Sequence, residues 1–221
     1  MFRILVVEDD QGTFERLGKR IPKKIPEARV DIAPTVSKAR QYLQEVREQG
    51  EPYDAIILDI KVPESQGLPP EMDETLCDRI KETMPHSTIV AHISAWLDDE
   101  VVQQHMKKKH DEQIDRSFRL SKMEPNWFRE LEKKLVSFLY GTRIEAQMND
   151  LFGQDDEPSF TARNRGGRVQ SGEDRSVTHK FSALSREIAS HWHELDESLQ
   201  ARISRAFEVT HKGNKVIVSF L

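Results

Sequence analysis

Ile4-Leu5-Val6-Val7-Glu8-Asp9-Asp10 and Asp54-Ala55-Ile56-Ile57-Leu58-Asp59-Ile60-Lys61-Val62-Pro63 carry two apolar runs that stop abruptly at carboxylates. Four or more consecutive apolar residues, several of them β-branched, suit a strand covered on both faces, as in a parallel sheet. Carboxylates that close two such strands project into the crevice outside the strand ends, where open α/β sheets bind ligands. Acidic groups gathered there repel one another unless a cation sits among them. A hard divalent ion such as Mg²⁺ suits the place, because it takes one or two carboxylates and keeps other positions for water and phosphate oxygens.

Outward from these runs the chain alternates. Residues 3–8, 29–33, 54–59, 88–93 and 113–116 read as strands, and 13–22, 36–48, 72–83, 99–109 and 126–140 as helices. Five strand–helix units imply a parallel sheet with right-handed crossovers and helices on both faces. The fifth strand has the weakest pattern, since Gln113-Ile114-Asp115-Arg116 holds one strongly apolar residue.

Three motifs occur in order after apolar runs: Val6-Val7-Glu8-Asp9-Asp10, Leu58-Asp59-Ile60-Lys61-Val62-Pro63 and Ile93-Ser94-Ala95. Together they make residues 1–140 resemble the receiver domains of two-component response regulators. The resemblance implies a flavodoxin-like (βα)5 doubly wound sheet of order 2-1-3-4-5. It implies that Asp59 accepts a phosphoryl group from a phosphohistidine of a sensor histidine kinase or phosphotransfer protein, with Mg²⁺ present. Asp9 then touches the metal directly, Glu8 acts through water, and the backbone carbonyl of Lys61 completes the protein ligands. Asp10 is a neighbour of the acidic pair rather than a ligand. Ser94 is the hydroxyl that hydrogen-bonds the phosphoryl group, and Ala95 leaves access to it. A chain of this kind is a phosphoacceptor rather than an enzyme, with at most self-phosphorylation and self-dephosphorylation.

The chain departs from the family's pattern in three places. A lysine, usually followed by proline, ends the family's fifth strand; the best register puts Arg116-Ser117-Phe118 there, with Lys122 a stand-in from the next loop. Arginine brings charge but a planar fork in place of a point-charge ammonium. The family's aromatic on that strand aligns with Gln113. Glu64–Glu71 is longer than usual and reads as a lid or a partner-specific contact. These departures keep open a receiver-like interaction module that works without phosphorylation.

After Pro125, the residues Phe128, Leu131, Leu135, Phe138 and Leu139 follow helical spacing. Gly141 either ends this helix, or Ile144, Met148, Leu151 and Phe152 extend it. Residues 141–180 read as helix extension and flexible linker, because 153–180 are dominated by Gly, Ser, Arg and Asp. The six basic and two acidic residues of 163–186 also fit an arm that contacts RNA or DNA, though a solvated linker is the plainer reading.

Residues 181–221 form a second ordered unit, mostly helical, with a terminal strand. Phe181, Leu184, Ile188, Trp192, Leu195, Leu199, Ile203 and Phe207 make one apolar stripe. Asp196 can N-cap a second helix within it. Lys212-Gly213-Asn214-Lys215 reads as a turn, with Phe207–Thr210 and Val216–Phe220 as a small hairpin around it. Such a stripe needs a partner: the receiver part, a second copy or another protein. A docking or homodimerising element is preferred over a transcription-regulating, DNA-binding output. The receiver resemblance offers a second homodimer surface, formed by helix four, strand five and helix five.

The net charge of −5 argues against a dominant nucleic-acid binder. A single cysteine, Cys77, excludes an intrachain disulfide and a cysteine-based zinc site, and suits a reducing compartment. Met1-Phe2-Arg3 leads straight into a strand rather than a signal peptide. No apolar stretch approaches the roughly 20 residues that cross a bilayer. The expectation is a cytoplasmic protein without a membrane partner.

Overall fold

The computed structural model describes residues 1–72, 75–85, 87–107, 117–152 and 173–220. These fall into two compact units, Met1–Leu135 and Val136–Leu221.

In the first unit, β1 (Phe2–Val7), β2 (Ala28–Ala33), β3 (Ala55–Asp59), β6 (Ile89–Ser94) and β7 (Ser117–Ser121) form one parallel sheet of order β2-β1-β3-β6-β7. This is the doubly wound, flavodoxin-like order that the receiver resemblance implies, built on the parallel sheet that the alternating pattern predicts. The three central strands are the most apolar: β3 and β6 are buried throughout, and β1 at all but Arg3. Between the sheet strands run α1 (Gln11–Lys24), α2 (Val36–Gln49), α3 (Leu76–Thr83) and α4 (Glu100–Met106). Asp10 starts α1 by accepting the Thr13 amide at 2.7 Å, and Thr35 does the same for α2 through Lys38 at 3.2 Å. On one side of the sheet, Ala39, Leu43 and Val46 of α2 join Leu76 and Ile80 of α3 over Leu5, Val7, Ile56 and Val90. α5 (Trp127–Phe152) begins in this unit, where Arg16 and Arg20 of α1 stand over the Phe128 ring.

Two features differ from expectation here. The strand beside β6 is Ser117–Ser121, with Ser94 opposite Ser121, whereas 113–116 lie outside the described residues. The extra segment before α3 is not plain loop. β4 (Lys61–Pro63) and β5 (Pro70–Met72) pair antiparallel, and Gly67 turns the chain between them at φ 88°. A residue with a Cβ would be strained at that angle.

The second unit takes α5 from Val136 on, then α6 (Glu173–His191), a 3₁₀ turn (Trp192–Glu194), α7 (Glu197–Ala206) and the hairpin β8 (Phe207–Lys212) and β9 (Lys215–Phe220). α5 does not stop at Gly141; of the two readings the extension is observed. Gly141 sits inside the helix where Leu199 approaches, and a Cβ there would meet the Leu199 Cδ2 at 3.4 Å. The hairpin occurs as expected, with Gly213 in its turn at φ 61°. Asp196 caps α7, accepting the Leu199 amide at 2.9 Å. α6 begins at Glu173, inside the stretch read as linker; 153–172 lie outside the described residues.

The apolar stripe meets its partner within its own unit. Leu184, Ile188, Trp192, Leu195, Leu199, Ile203 and Phe207 pack with Ile144 and Met148 of α5, and Val209, Val216 and Val218 of the hairpin flank them. Arg143 pairs with Glu187, and Arg202 with Glu145 at 3.0 Å, which fastens α6 and α7 to α5 at the rim. The expectation that this stripe finds its cover in the receiver part, a second copy or another protein is therefore corrected: the extended α5 and the hairpin bury it. Trp192 is 9% exposed. Replacing it with alanine is expected to cost this unit about 3–5 kcal/mol, the range for emptying a buried aromatic site. Denaturant unfolding followed by circular dichroism would measure it, and an unchanged transition would contradict this packing.

Candidate carboxylate–lysine site

The site is a consequence of sheet register. Val7 of β1 lies opposite Leu58 of β3, which puts Glu8 level with Asp59. Asp59 lies opposite Ile93 of β6, one residue short of Ser94. Ser94 lies opposite Ser121 of β7, and the Lys122 amide donates to the Ser94 carbonyl at 2.8 Å. Four strand ends thus deliver Glu8, Asp59, Ser94 and Lys122 to one edge.

Carboxylate oxygens of Glu8, Asp9 and Asp59 lie within 4.8 Å of one another. Glu8 is fully buried and Asp59 is 8% exposed. The Asp10 amide donates to Glu8 Oε1 at 3.1 Å, and the Lys61 amide points at Asp59 Oδ1 at 3.4 Å. Lys122 supplies the compensating charge. Its Nζ lies 2.5 Å from Glu8 Oε2 and 2.6 Å from Asp59 Oδ2. The Ser94 hydroxyl is buried and accepts the Trp96 amide at 3.0 Å.

Burial and crowding set the protonation. Desolvation, and then the charge of Asp59, push Glu8 up to about 7 although Lys122 pulls the other way. Burial likewise raises Asp59 against the opposing pull of Lys122. Burial would lower the Lys122 ammonium, but the charges of Asp59 and Glu8 outweigh it and hold the amine above the usual lysine value. Asp10 is different in kind: hydrogen bonds from Thr13 hold it below the ordinary range, as suits a helix cap.

Of the residues named from sequence, Glu8, Asp9 and Asp59 form one cluster, and Ser94 stands at the neighbouring strand end. Lys61 lies two residues after Asp59, with its ammonium 4.9 Å from the Trp96 ring. Arg116 and Gln113 lie outside the described residues. Among the described residues the cation that meets the cluster is Lys122, the residue that the sequence offers as a stand-in for Arg116. The Ser121-Lys122 step, just after the apolar Phe118 and Leu120, was the available signal. It lacked the proline that usually follows the family's lysine.

No family model matches this chain, and no curated protein does. Among solved structures it is similar to the signal receiver domain of a DNA-binding response regulator from Colwellia psychrerythraea 34H. Identity is 24%, coverage 63% of this chain and 98% of that one, and the TM-score 0.46. It is similar to the phosphorylated cyanobacterial phytochrome response regulator RcpA at 18% identity, 62% and 94% coverage and a TM-score of 0.47. A response regulator from Burkholderia pseudomallei with a phosphorylated aspartic acid, calcium ion and citrate matches at 12% identity, 74% and 93% coverage and a TM-score of 0.41. The fold assignment rests on the chain's own strand order.

Proposed function

We propose that this chain is a response regulator whose first unit accepts a phosphoryl group on Asp59 from a phosphohistidine of a sensor kinase or phosphotransfer protein. The observation that carries the proposal is the convergence of Glu8, Asp9, Asp59 and Lys122 at the strand ends. The three clustered carboxylates fit a hard divalent cation, Mg²⁺ by the chemistry of oxygen donors. Asp9 and Asp59 would hold it directly, Glu8 through water, and the Lys61 carbonyl would add a further oxygen. When bound, the ion neutralises charge on the carboxylates and on the incoming phosphoryl oxygens.

An Asp59 oxygen attacks phosphorus, the phosphorus–nitrogen bond of the donor breaks, and the imidazole leaves with the electron pair. Lys122, already beside Asp59, faces the charge that builds on the phosphoryl oxygens. Ser94 offers its O–H to one of them. In this reading the protein is a phosphoacceptor, and the signal passes by a change of shape rather than by turnover of a small substrate.

The test is incubation of the full chain with acetyl phosphate and Mg²⁺ followed by intact-mass and peptide analysis. One phosphoryl group on the peptide that holds Asp59 is expected. A chain that stays unlabelled at saturating donor would replace this proposal with an interaction module that works without phosphorylation.

Cation binding should depend on pH. Glu8 titrates at about 7 in the folded chain against an ordinary 4.5. A folded value above the unfolded one means that its stabilising effect is complete below the unfolded value and is lost as pH rises through the folded one. A cation that draws on the ionised carboxylate must therefore displace a proton below about pH 7. Mg²⁺ or Mn²⁺ affinity is expected to rise from about pH 6 to about pH 8 by linkage. Titration calorimetry at each pH would measure this, and a flat profile would contradict it.

A further inference from the structure

The hairpin β4–β5 begins two residues after Asp59 and is tied to its surroundings at both ends. At the near end, Ile60 and Val102 of α4 form a small apolar cluster with Met72 of β5 and Leu97. Leu97 lies in the loop after Ser94, and the neighbouring Trp96 donates its amide to the Ser94 hydroxyl at 3.0 Å. The Lys61 ammonium sits 4.9 Å from the Trp96 ring, so the loops after Asp59 and after Ser94 meet twice. At the far end, the Glu64 carbonyl accepts the Ser37 amide at 3.0 Å, which satisfies a free donor in the first turn of α2. The Glu64 carboxylate accepts from the Ser37 hydroxyl at 2.9 Å and from Arg40 at 2.7 Å. Arg40 also reaches Thr75, just before α3, at 2.9 Å.

We infer that this hairpin is a transmission strap that carries the state of the Asp59 site to the start of α2, making the surface of the hairpin and α2 a state-dependent one. The inference rests on the proposed phosphoacceptor role. An anionic group on Asp59 draws the Ser94 hydroxyl toward it. The Trp96 amide is bound to that hydroxyl, so the loop moves with it, and Leu97 shifts against the Ile60–Val102 cluster on which Met72 also packs. A close-packed cluster repacks rather than yields at one atom. Met72 is paired with Lys61, so the hairpin moves as a ribbon. Glu64 then pulls on the amide of Ser37 and on Arg40. From Leu97 onward the links join residues on different segments, through the Ile60–Val102 cluster, the Lys61–Met72 pairing and the bonds of Glu64 to Ser37 and Arg40, and none of them involves α5.

The test uses the full chain with Mg²⁺, with and without beryllofluoride as the phosphoryl mimic. Fluorine resonances report whether the mimic is bound, and amide hydrogen exchange reports the hairpin and the first turn of α2. Exchange in 61–72 and 36–40 is expected to change at least about fivefold on binding, the lower end for coupled sites. Met72→Ala should keep the bound fluorine signal and lose the change in both segments. Glu64→Gln, a milder variant away from the cluster, should keep the change in the hairpin and lose it in α2. Bound fluoride with unchanged exchange in the parent would overturn the strap and leave the phosphoacceptor reading standing. An absent fluorine signal in the parent would overturn both.

Discussion

Asp59→Asn is expected to reduce phosphoryl labelling by acetyl phosphate to background. The substitution keeps the size of the side chain and one acceptor oxygen for Lys122, but it removes the ionised oxygen that must attack phosphorus. Glu8 and Asp9 remain beside it, yet Glu8 is buried and is held by the Asp10 amide and by Lys122. The variant should stay folded, because one fewer charge in a crowded acidic cluster relieves repulsion; the Glu8 carboxyl should titrate lower for the same reason. Intact-mass measurement of parent and variant under the same donor and Mg²⁺ concentrations decides the matter. Equal labelling of the two would place the acceptor elsewhere.

Removal of Lys122 should have the second large effect, and its sign with metal is the informative part. The Lys122 side chain is 14% exposed and bridges carboxylates that are 0% and 10% exposed. Loss of one partner from a buried ionic set costs about 3–5 kcal/mol, because the remaining charges are left without compensation. Lys122→Ala should therefore lower the melting temperature of the first unit strongly in metal-free buffer. Mg²⁺ should then restore more stability to the variant than it adds to the parent, since in the parent the ammonium already occupies two of the carboxylates that the cation would draw on. Binding to the folded state alone raises stability with ligand concentration, so thermal unfolding at graded Mg²⁺ measures the difference. Equal Mg²⁺ increments in the two proteins would show that Lys122 and the cation do not share those carboxylates.

These expectations depend on residues that were visible in the sequence to different degrees. Ile4–Val7 and Ala55–Leu58 announced themselves because a strand buried on both faces must be apolar at every position. Asp196 announced a helix start because a cap is a local hydrogen bond, accepted from the Leu199 amide; Asp10 read only as a neighbour of the acidic pair, and the structure makes it the cap that accepts from the Thr13 amide. β7 was hidden. It is an edge strand, only half-buried, and Ser117-Phe118-Arg119-Leu120-Ser121 needs few apolar residues there. Lys122 was hidden with it, because its role comes from the register of β7 on β6. The hairpin was hidden too: Glu64–Glu71 read as a lid or a partner-specific contact, and the paired Pro63 and Pro70 argue against strands by local pattern, though prolines are tolerated in so short a ribbon because it has free edges.

The stripe from Leu184 to Phe207 shows the division most plainly. Its spacing required a cover, since apolar side chains at helical intervals gain stability only when removed from water. Spacing does not say what the cover is. The cover turned out to be the continuation of α5 past Gly141 together with the hairpin that follows α7. By itself the sequence determined the strand–helix alternation, the carboxylates at the strand ends, the helix caps and the need to bury that stripe. All of these follow from periodicity and from bonds within a few residues. The tertiary structure alone decided which cation meets Glu8 and Asp59, what the extra segment before α3 becomes and what covers the stripe. Those outcomes join residues distant in sequence, where burial is selected by fit among whole elements rather than by any local pattern.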